Sequence, residues 1–301
     1  MSFSEDVRSE LASIAPEREC DRLAELSALF HFAGRLHLHG RGEVSLHLDL
    51  ASAAVARRAF ALLRSFDVGS EIRTYRRRAF EQETRYELHV ETGPRSLDLL
   101  RECGIVDARL VPRERPPRRV LGRGCCRAAY LRGALLAAGS VSAPPSPHLE
   151  VRSESRAGAE TVADCAELRV SGRGDYSFAY AKGIDRIAGV LAAAGASDAA
   201  LALQERAVVG ATRAQANRLA NADHANLVRS GRAAHTQLEA VRRLQEAGRL
   251  GELSPRLREI AELRLKHPSL SLRELGAKCD PSATKSAAHR RLQALVRMAQ
   301  R

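Results

Sequence analysis

Leu26-Ser27-Ala28-Leu29-Phe30-His31-Phe32-Ala33-Gly34 and Leu131-Arg132-Gly133-Ala134-Leu135-Leu136-Ala137-Ala138-Gly139 share one layout, L-x-small-x-x-x-x-A-G, with Leu131 lying 105 residues after Leu26. Each reads as an apolar helix that ends on a small residue and Gly and runs into strand-like alternation. Around the first copy, Leu23, Leu26, Leu29 and Phe30 keep helical spacing through 20–33. Leu36 to His39 and Val44 to Leu50 alternate strictly about Gly40-Arg41-Gly42, a hairpin signal. Ser52 is placed to cap a helix running to Phe66. A second hairpin is expected over Ser70–Arg77 and Thr84–Glu91, then a short helix from Pro94 to Cys103.

The Pro- and Arg-rich run Val111 to Arg119 reads as a linker. Beyond it the unit repeats: a helix over 122–138, strands near 139–152, a weak copy of a long helix at 154–166, strands at 167–171 and 175–181, and a helix at 183–194. The expected organisation is a first repeat at 1–110, a linker at 111–121, a second repeat at 122–196, a helical connector at 197–250 and a closing module at 251–301. Turns are expected in the Ala-rich connector near Gly210, Asn221-Ala222-Asp223 and Gly231.

Net charge is +12 over 301 residues, and it is uneven. Residues 1–200 hold 29 basic and 27 acidic side chains, whereas 201–301 hold 19 and 9, so the excess and the expected polyanion partner belong to the last third. Arginine supplies 44 of the 48 basic residues, a bias a GC-rich genome would also produce, so the asymmetry carries more weight than the count. The six cysteines (20, 103, 125, 126, 165 and 279) form no C-x-x-C pair and read as reduced structural thiols, adjacent cysteines being awkward joint ligands of one tetrahedral ion. No cofactor is called for. No run of about 18 apolar residues occurs, and the start mixes acids and bases, so a cytoplasmic, nucleoid-associated protein without a membrane segment is expected.

The closing module carries the strongest local signals. Ser254-Pro255 opens a helix with Leu257, Ile260, Ala261, Leu263 and Leu265 inward, stopped by His267-Pro268. Ser271-Leu272-Arg273-Glu274 is a capping box. Thr284 caps a third helix from Lys285 to Met298, with Ala288, Leu292 and Leu295 inward. Three such helices, with Gly276 or Ala277 small near the end of the second, match a helix–turn–helix. In that arrangement Lys285, Ser286, His289 and Arg290 reach base edges, and Arg273, Thr284 and Arg291 reach phosphates. Residues 254–301 hold 11 basic and 4 acidic side chains, net +7.

The paired stretches resemble the LAGLIDADG helices of homing endonucleases, in which small residues let two helices approach along a pseudo-twofold axis. In those enzymes the residue before the last Gly is a metal-binding acid; here Ala33 and Ala138 stand there, and two-metal hydrolysis has no clamp without those carboxylates. More of the chain is similar to the WhiA regulators. Cys125-Cys126-Arg127 through Gly139-Ser140-Val141, followed by Pro144 and His148-Leu149-Glu150, resembles their signature. Phe3-Ser4, Ala54 to Arg58, Asn217-Arg218, Asn221, Ala225-Asn226-Leu227, Leu257-Arg258-Glu259, His267-Pro268, Ser271 to Gly276 and Lys285-Ser286 add to it. The resemblance departs at Leu50-Ala51-Ser52, at 154–166 and at Thr212 to Arg218.

It implies an α+β chain: a pseudo-twofold, catalytically silent LAGLIDADG-like domain followed by an all-α helix–turn–helix domain. It also implies a regulator of cell division, chromosome segregation or sporulation septation that binds double-stranded promoter DNA. Separately from the resemblance, the N-terminal scaffold is expected to serve as an interaction platform for another transcription factor or RNA polymerase. Three rival readings have their own residues. A residual nuclease would need other acids, but neither Asp21 nor Glu25 sits at the axis end of its helix. A metal site would use His37, His39, His47 and Asp49, which share one sheet face, ordinarily the open polar side. A DNA saddle would use Arg73, Arg76, Arg77 and Arg78 in a region near neutral overall. A nucleoid protein that binds DNA without regulating genes is the remaining alternative.

Overall fold

In the computed structural model, which describes residues 2–38, 44–76 and 84–300, the same seven-element unit is built twice. The first copy follows α1 (Phe3–Ser13) and comprises α2 (Glu19–Ala33), β1 (Gly34–Leu38), β2 (Val44–Leu50), α3 (Ala53–Arg64), β3 (Ser70–Arg76), β4 (Thr84–Val90) and α4 (Pro94–Cys103). The second comprises α5 (Gly124–Ala138), β5 (Gly139–Ser142), β6 (His148–Ser153), α6 (Arg156–Ala166), β7 (Arg169–Arg173), β8 (Tyr176–Lys182) and α7 (Ile184–Ala194). Each sheet is antiparallel, ordered β1-β2-β4-β3 and β5-β6-β8-β7. Gly34 and Gly139 leave their helices at nearly the same backbone angles, φ −76, ψ 141 and φ −78, ψ 143. The fold is α+β with internal pseudo-twofold symmetry. His39, the Gly40-Arg41-Gly42 turn, Arg77 and Arg78 lie outside the described residues.

Helices α2 and α5 are buried almost all round, from Ala24 to Phe30 and from Ala129 to Leu136, which is why neither sequence shows a polar stripe. They lie side by side because one position on their contact has no side chain. A Cβ on Gly133 would stand 2.4 Å from the Glu25 carbonyl oxygen and 2.8 Å from the Ala28 Cβ. Leu46, Leu48, Leu50, Leu88 and Val90 from one sheet, and Val141, Leu149, Val151, Ala179 and Ala181 from the other, complete a single core around the pair.

The centre of this core holds a charge. Glu25 is fully buried and accepts hydrogen bonds from Arg58 Nε (2.7 Å) and Nη2 (3.2 Å) and from Arg132 Nε (2.8 Å). Arg132 also donates to the Ala194 carbonyl (3.3 Å), so one carboxylate ties α2 to α3, α5 and the end of α7. Buried charge survives only when every lone pair is matched in this way.

Four expectations change in detail. Ser52 precedes α3, but its hydroxyl donates to Glu5 Oε1 on α1 (3.0 Å) instead of capping the helix. The 154–166 stretch forms a full helix, 11 residues against 12 in α3, with Ser155 accepting from Gly158 N–H (3.0 Å). The Pro/Arg run is packed rather than loose: Val120 is buried and Arg113 N–H donates to the Ile105 carbonyl (2.8 Å). The expected turns of the Ala-rich segment are absent, because α8 runs unbroken from Ser197 to Glu246. It opens with Glu10 of α1 accepting from Asp198 and Ala199 N–H (2.9 and 2.8 Å), which does the work of a side-chain cap.

The chain separates into two compact units, residues 1–211 and 212–301, so the change of unit falls inside α8. The second unit contains the rest of α8, then α9 (Pro255–Lys266), α10 (Leu272–Ala277) and α11 (Lys285–Ala299). Its separate core is Val241, Leu244, Leu253, Ile260, Ala261, Leu275, Cys279, Ala288, Leu292 and Leu295.

Candidate nucleic-acid interface

Three local devices set the helices of the second unit. The capping box forms as expected: Ser271 N–H donates to Glu274 Oε2 (2.8 Å) and Glu274 N–H to the Ser271 hydroxyl (3.3 Å). Hydrogen bonding from the Ser271 hydroxyl and N–H holds the Glu274 carboxyl below the usual carboxylate range. Gly276 sits where a Cβ would come 2.3 Å from the Ala283 carbonyl oxygen, so the turn into α11 closes tightly on α10. Thr284 then accepts from Ala287 N–H (3.2 Å) and starts α11.

Ala288, Leu292 and Leu295 are fixed in the core, which turns the other side of α11 outward. Lys285, Ser286, His289 and Arg290 are all exposed there, and so are Arg273 on α10 and Thr284. These six expected contact residues are available at one end of the module. Arg291 differs. It is half-buried and turns toward Glu259 of α9 (3.9 Å), because its position on α11 looks back at the bundle.

Arg273, Lys285 and His289 line a groove whose opposite wall is α8, through Asn226, Arg229 and Ser230. The sequence reading placed contacts on α10 and α11 alone and missed this wall. It also missed the brace behind it. Arg264, 1% exposed, donates to the carbonyls of Leu270 (2.7 Å) and Pro268 (3.3 Å) and to Gln237 Oε1 of α8 (2.8 Å), and Gln237 is itself buried. Both polar residues fall at inward helical positions, a signal that a hydrophobic-pattern search discards.

In the first unit, the two positions at the ends of the helix pair hold methyl groups, Ala33 buried and Ala138 half-buried. Among the described residues no group of His, Cys, Asp or Glu donors gathers there. Glu25 is locked between its arginines. On the outer face of the first sheet, His37 stacks on His47 (5.2 Å between ring centroids) and His47 lies 5.9 Å from His89. Burial pulls His47 below the ordinary histidine value, with the Glu87 carboxylate 3.4 Å away opposing. Asp49 is engaged by Arg85 Nε and the Tyr75 hydroxyl, each at 3.1 Å. Arg73 lies on Glu71 (2.9 Å), and Arg76 is exposed. One donor cluster does form, at the other ends of α2 and α5, from Cys20, Asp21, Cys125 and Cys126. The sequence reading saw these as scattered thiols, although Cys20 and Cys125 stand at the same 105-residue offset as the two helix motifs.

Family models divide the chain as the geometry does. The WhiA N-terminal LAGLIDADG-like domain matches residues 19–106, the WhiA LAGLIDADG-like domain 127–213, and the WhiA C-terminal HTH domain 216–299. A "Probable cell division protein WhiA" of Heliobacterium modesticaldum is 36% identical over 307 residues, covering 100% of this chain and 96% of its own length. The chain belongs to the WhiA family. A second WhiA relative bearing that name, from Symbiobacterium thermophilum, is 37% identical over 309 residues and covers 100% of this chain and 98% of itself. Full-length DUF199/WhiA from Thermatoga maritima has the same fold, with a TM-score of 0.57 at 21% identity over 100% of this chain and 98% of that one. The helix–turn–helix domain supports DNA binding, and among the described residues no helix is long and apolar enough to cross a membrane.

Proposed function

We propose that this WhiA-family chain regulates transcription in cell division and chromosome segregation, and in sporulation septation where the host sporulates. In this reading it binds promoter DNA through α11. The observation that carries it is the exposed, N-capped face of Lys285, Ser286, His289 and Arg290 on a helix whose other side is fixed in a core. A recognition helix needs that combination of rigid back and free polar front. Arg273 and Thr284 flank the face for phosphate contact, Asn226 and Arg229 extend it along α8, and Arg291 has a structural task.

The same reading makes the first unit a non-catalytic platform. Ala33 and Ala138 offer no cation ligand, and on the first sheet Glu71 and Asp49 pair with Arg73 and Arg85, which leaves those two arginines less free for phosphate. A protein partner in the transcription machinery suits that mixed surface better. The relatives' printed name supports the cell-division assignment.

Lys285→Ala and Arg290→Ala should each weaken binding to a target promoter by about 1–3 kcal/mol, with little change on scrambled duplex. Targets come from chromatin immunoprecipitation, and affinities from titrations at several salt concentrations. Equal losses on both duplexes would replace gene regulation with sequence-independent nucleoid binding. Cleavage of supercoiled plasmid with magnesium or manganese, abolished by a single acid substitution, would end the non-catalytic reading.

A further inference from the structure

Cys20 and Asp21 are the second and third residues of α2, and Cys125 and Cys126 the second and third of α5. The offset of 105 that relates the helices also relates these residues pair by pair. Because α2 and α5 run side by side with equivalent positions facing, four donors from two places in the sequence meet at one end of the pair. Three sulfurs and a carboxylate oxygen all lie within 4.8 Å of one another. Cys125 Sγ is 4.0 Å from Cys126 Sγ, and Cys20 Sγ is 3.6 Å from Asp21 Oδ1.

Zinc in a tetrahedral site sits about 2.3 Å from sulfur and about 2.0–2.2 Å from carboxylate oxygen, which puts ligand atoms roughly 3.5–3.8 Å apart. The observed spacings need a contraction of up to about 1.3 Å to close on such an ion. Donor type selects the metal: three sulfurs favour zinc over magnesium or manganese, which take oxygen. Adjacent cysteines, discounted on spacing alone, are workable here because the third sulfur arrives from the symmetry-related helix.

We propose that Cys20, Asp21, Cys125 and Cys126 bind one zinc ion that clamps the two repeats together at the ends of α2 and α5 remote from Ala33 and Ala138. Both helices begin here, directing the positive ends of their dipoles at the sulfurs, and the Arg18 side chain bonds to Cys125. Cys126 is buried while the other three ligands are half-exposed, which leaves an entry path. Cys103 and Cys279 lack this setting; each is buried alone against a backbone carbonyl, Leu23 and Leu275 respectively.

The test is cobalt titration of the reduced full-length chain after chelator treatment, followed by zinc displacement. Intense thiolate-to-cobalt charge-transfer absorption should saturate at one equivalent per chain and vanish on adding zinc. Zinc should also raise the melting temperature of the first unit. Cys20→Ser and Cys125→Ser should each lower affinity by more than about 100-fold, beyond what losing an outer-shell partner costs. Asp21→Asn, a milder change at a half-exposed position, should lower it less, and Cys165→Ser should leave it unchanged. Circular dichroism identifies any variant that fails to fold, and Asp21→Asn then carries the comparison. The proposal is overturned if the wild-type chain gives no charge-transfer band. It is equally overturned if cobalt affinity is unchanged in Cys20→Ser and in Asp21→Asn, or if Cys20 is found disulfide-bonded to Cys125 or Cys126 with zinc present.

Discussion

On the outer face of the first sheet, Glu71 meets Arg73, Asp49 meets Arg85 and Tyr75, and Glu87 meets His47 and His89. On the same face of the second sheet, Arg152 lies 3.9 Å over the Tyr176 ring, Lys182 reaches toward Tyr180, and Arg169 and Arg173 are exposed. Strand order is the same in both. A duplicated scaffold fixes where side chains point, but not which ones stand there, and the two halves have filled equivalent positions with different chemistry. The difference reaches the core. Glu25 corresponds by the 105-residue offset to Tyr130, and Ser27 to Arg132, and all four are buried.

That asymmetry sets the largest expected effect. Glu25→Ala leaves two buried guanidinium groups without a counter-charge and should cost about 3–5 kcal/mol in urea unfolding of the first unit. The equivalent change in the second half, Tyr130→Phe, removes a hydroxyl that has no hydrogen-bond partner in the protein and should alter stability by less than about 1 kcal/mol. Similar losses at the two positions would mean that the ion triad is no more structural than the unpartnered Tyr130 hydroxyl.

Much of this organisation was readable in the sequence. The duplicated L-x-small-x-x-x-x-A-G stretches gave both axis helices, and Ser271 with Glu274 gave the start of α10, because each feature is local and chemically specific. The turns expected at Gly210, Gly231 and Asn221-Ala222-Asp223 did not form. A glycine costs a helix interior only about 1 kcal/mol relative to alanine, and long runs of strong helix formers on either side outweigh it. Arg264 and Gln237 were hidden for the opposite reason. Their burial depends on carbonyls supplied by the Pro268–Leu270 turn and on a neighbouring helix, which no periodicity in one segment reveals. The available face of α11 was legible, whereas Arg291's turn toward Glu259 required the bundle.

A second, intermediate effect separates the halves by acidity. His31 on α2 hydrogen-bonds the Ser27 carbonyl through Nδ1 (2.8 Å), its Nε2 is enclosed, and burial pulls its pKa down to about 4. Its counterpart in α5 is Leu136, which does not titrate. The unfolded chain takes up the proton near pH 6.5 and the folded chain only near 4. The stabilisation is therefore complete above about pH 6.5 and is lost as pH falls through that window, amounting to about 2–3 kcal/mol at the acid end. His31→Leu, which copies the second half into the first, should flatten the acid limb of urea midpoints measured from about pH 7 to about pH 4.5. An unchanged slope would assign acid sensitivity to the carboxylates instead.

The smallest effect returns to the sheet faces. Arg152 over Tyr176 is a cation–π contact whose loss in Arg152→Ala should cost about 0.5–1 kcal/mol. Arg73 and Glu71 are both largely exposed, 58% and 67%, and water competes for each charge, so Arg73→Ala should give no measurable loss. Salt distinguishes the two further. Raising ionic strength screens an exposed ion pair, whereas packing of a guanidinium on a ring retains its dispersion component. The Arg152→Ala penalty should accordingly persist at high salt in paired unfolding titrations. If it disappears there, the second face is held by screened charge like the first, and the halves differ in composition but not in the physics of their surfaces.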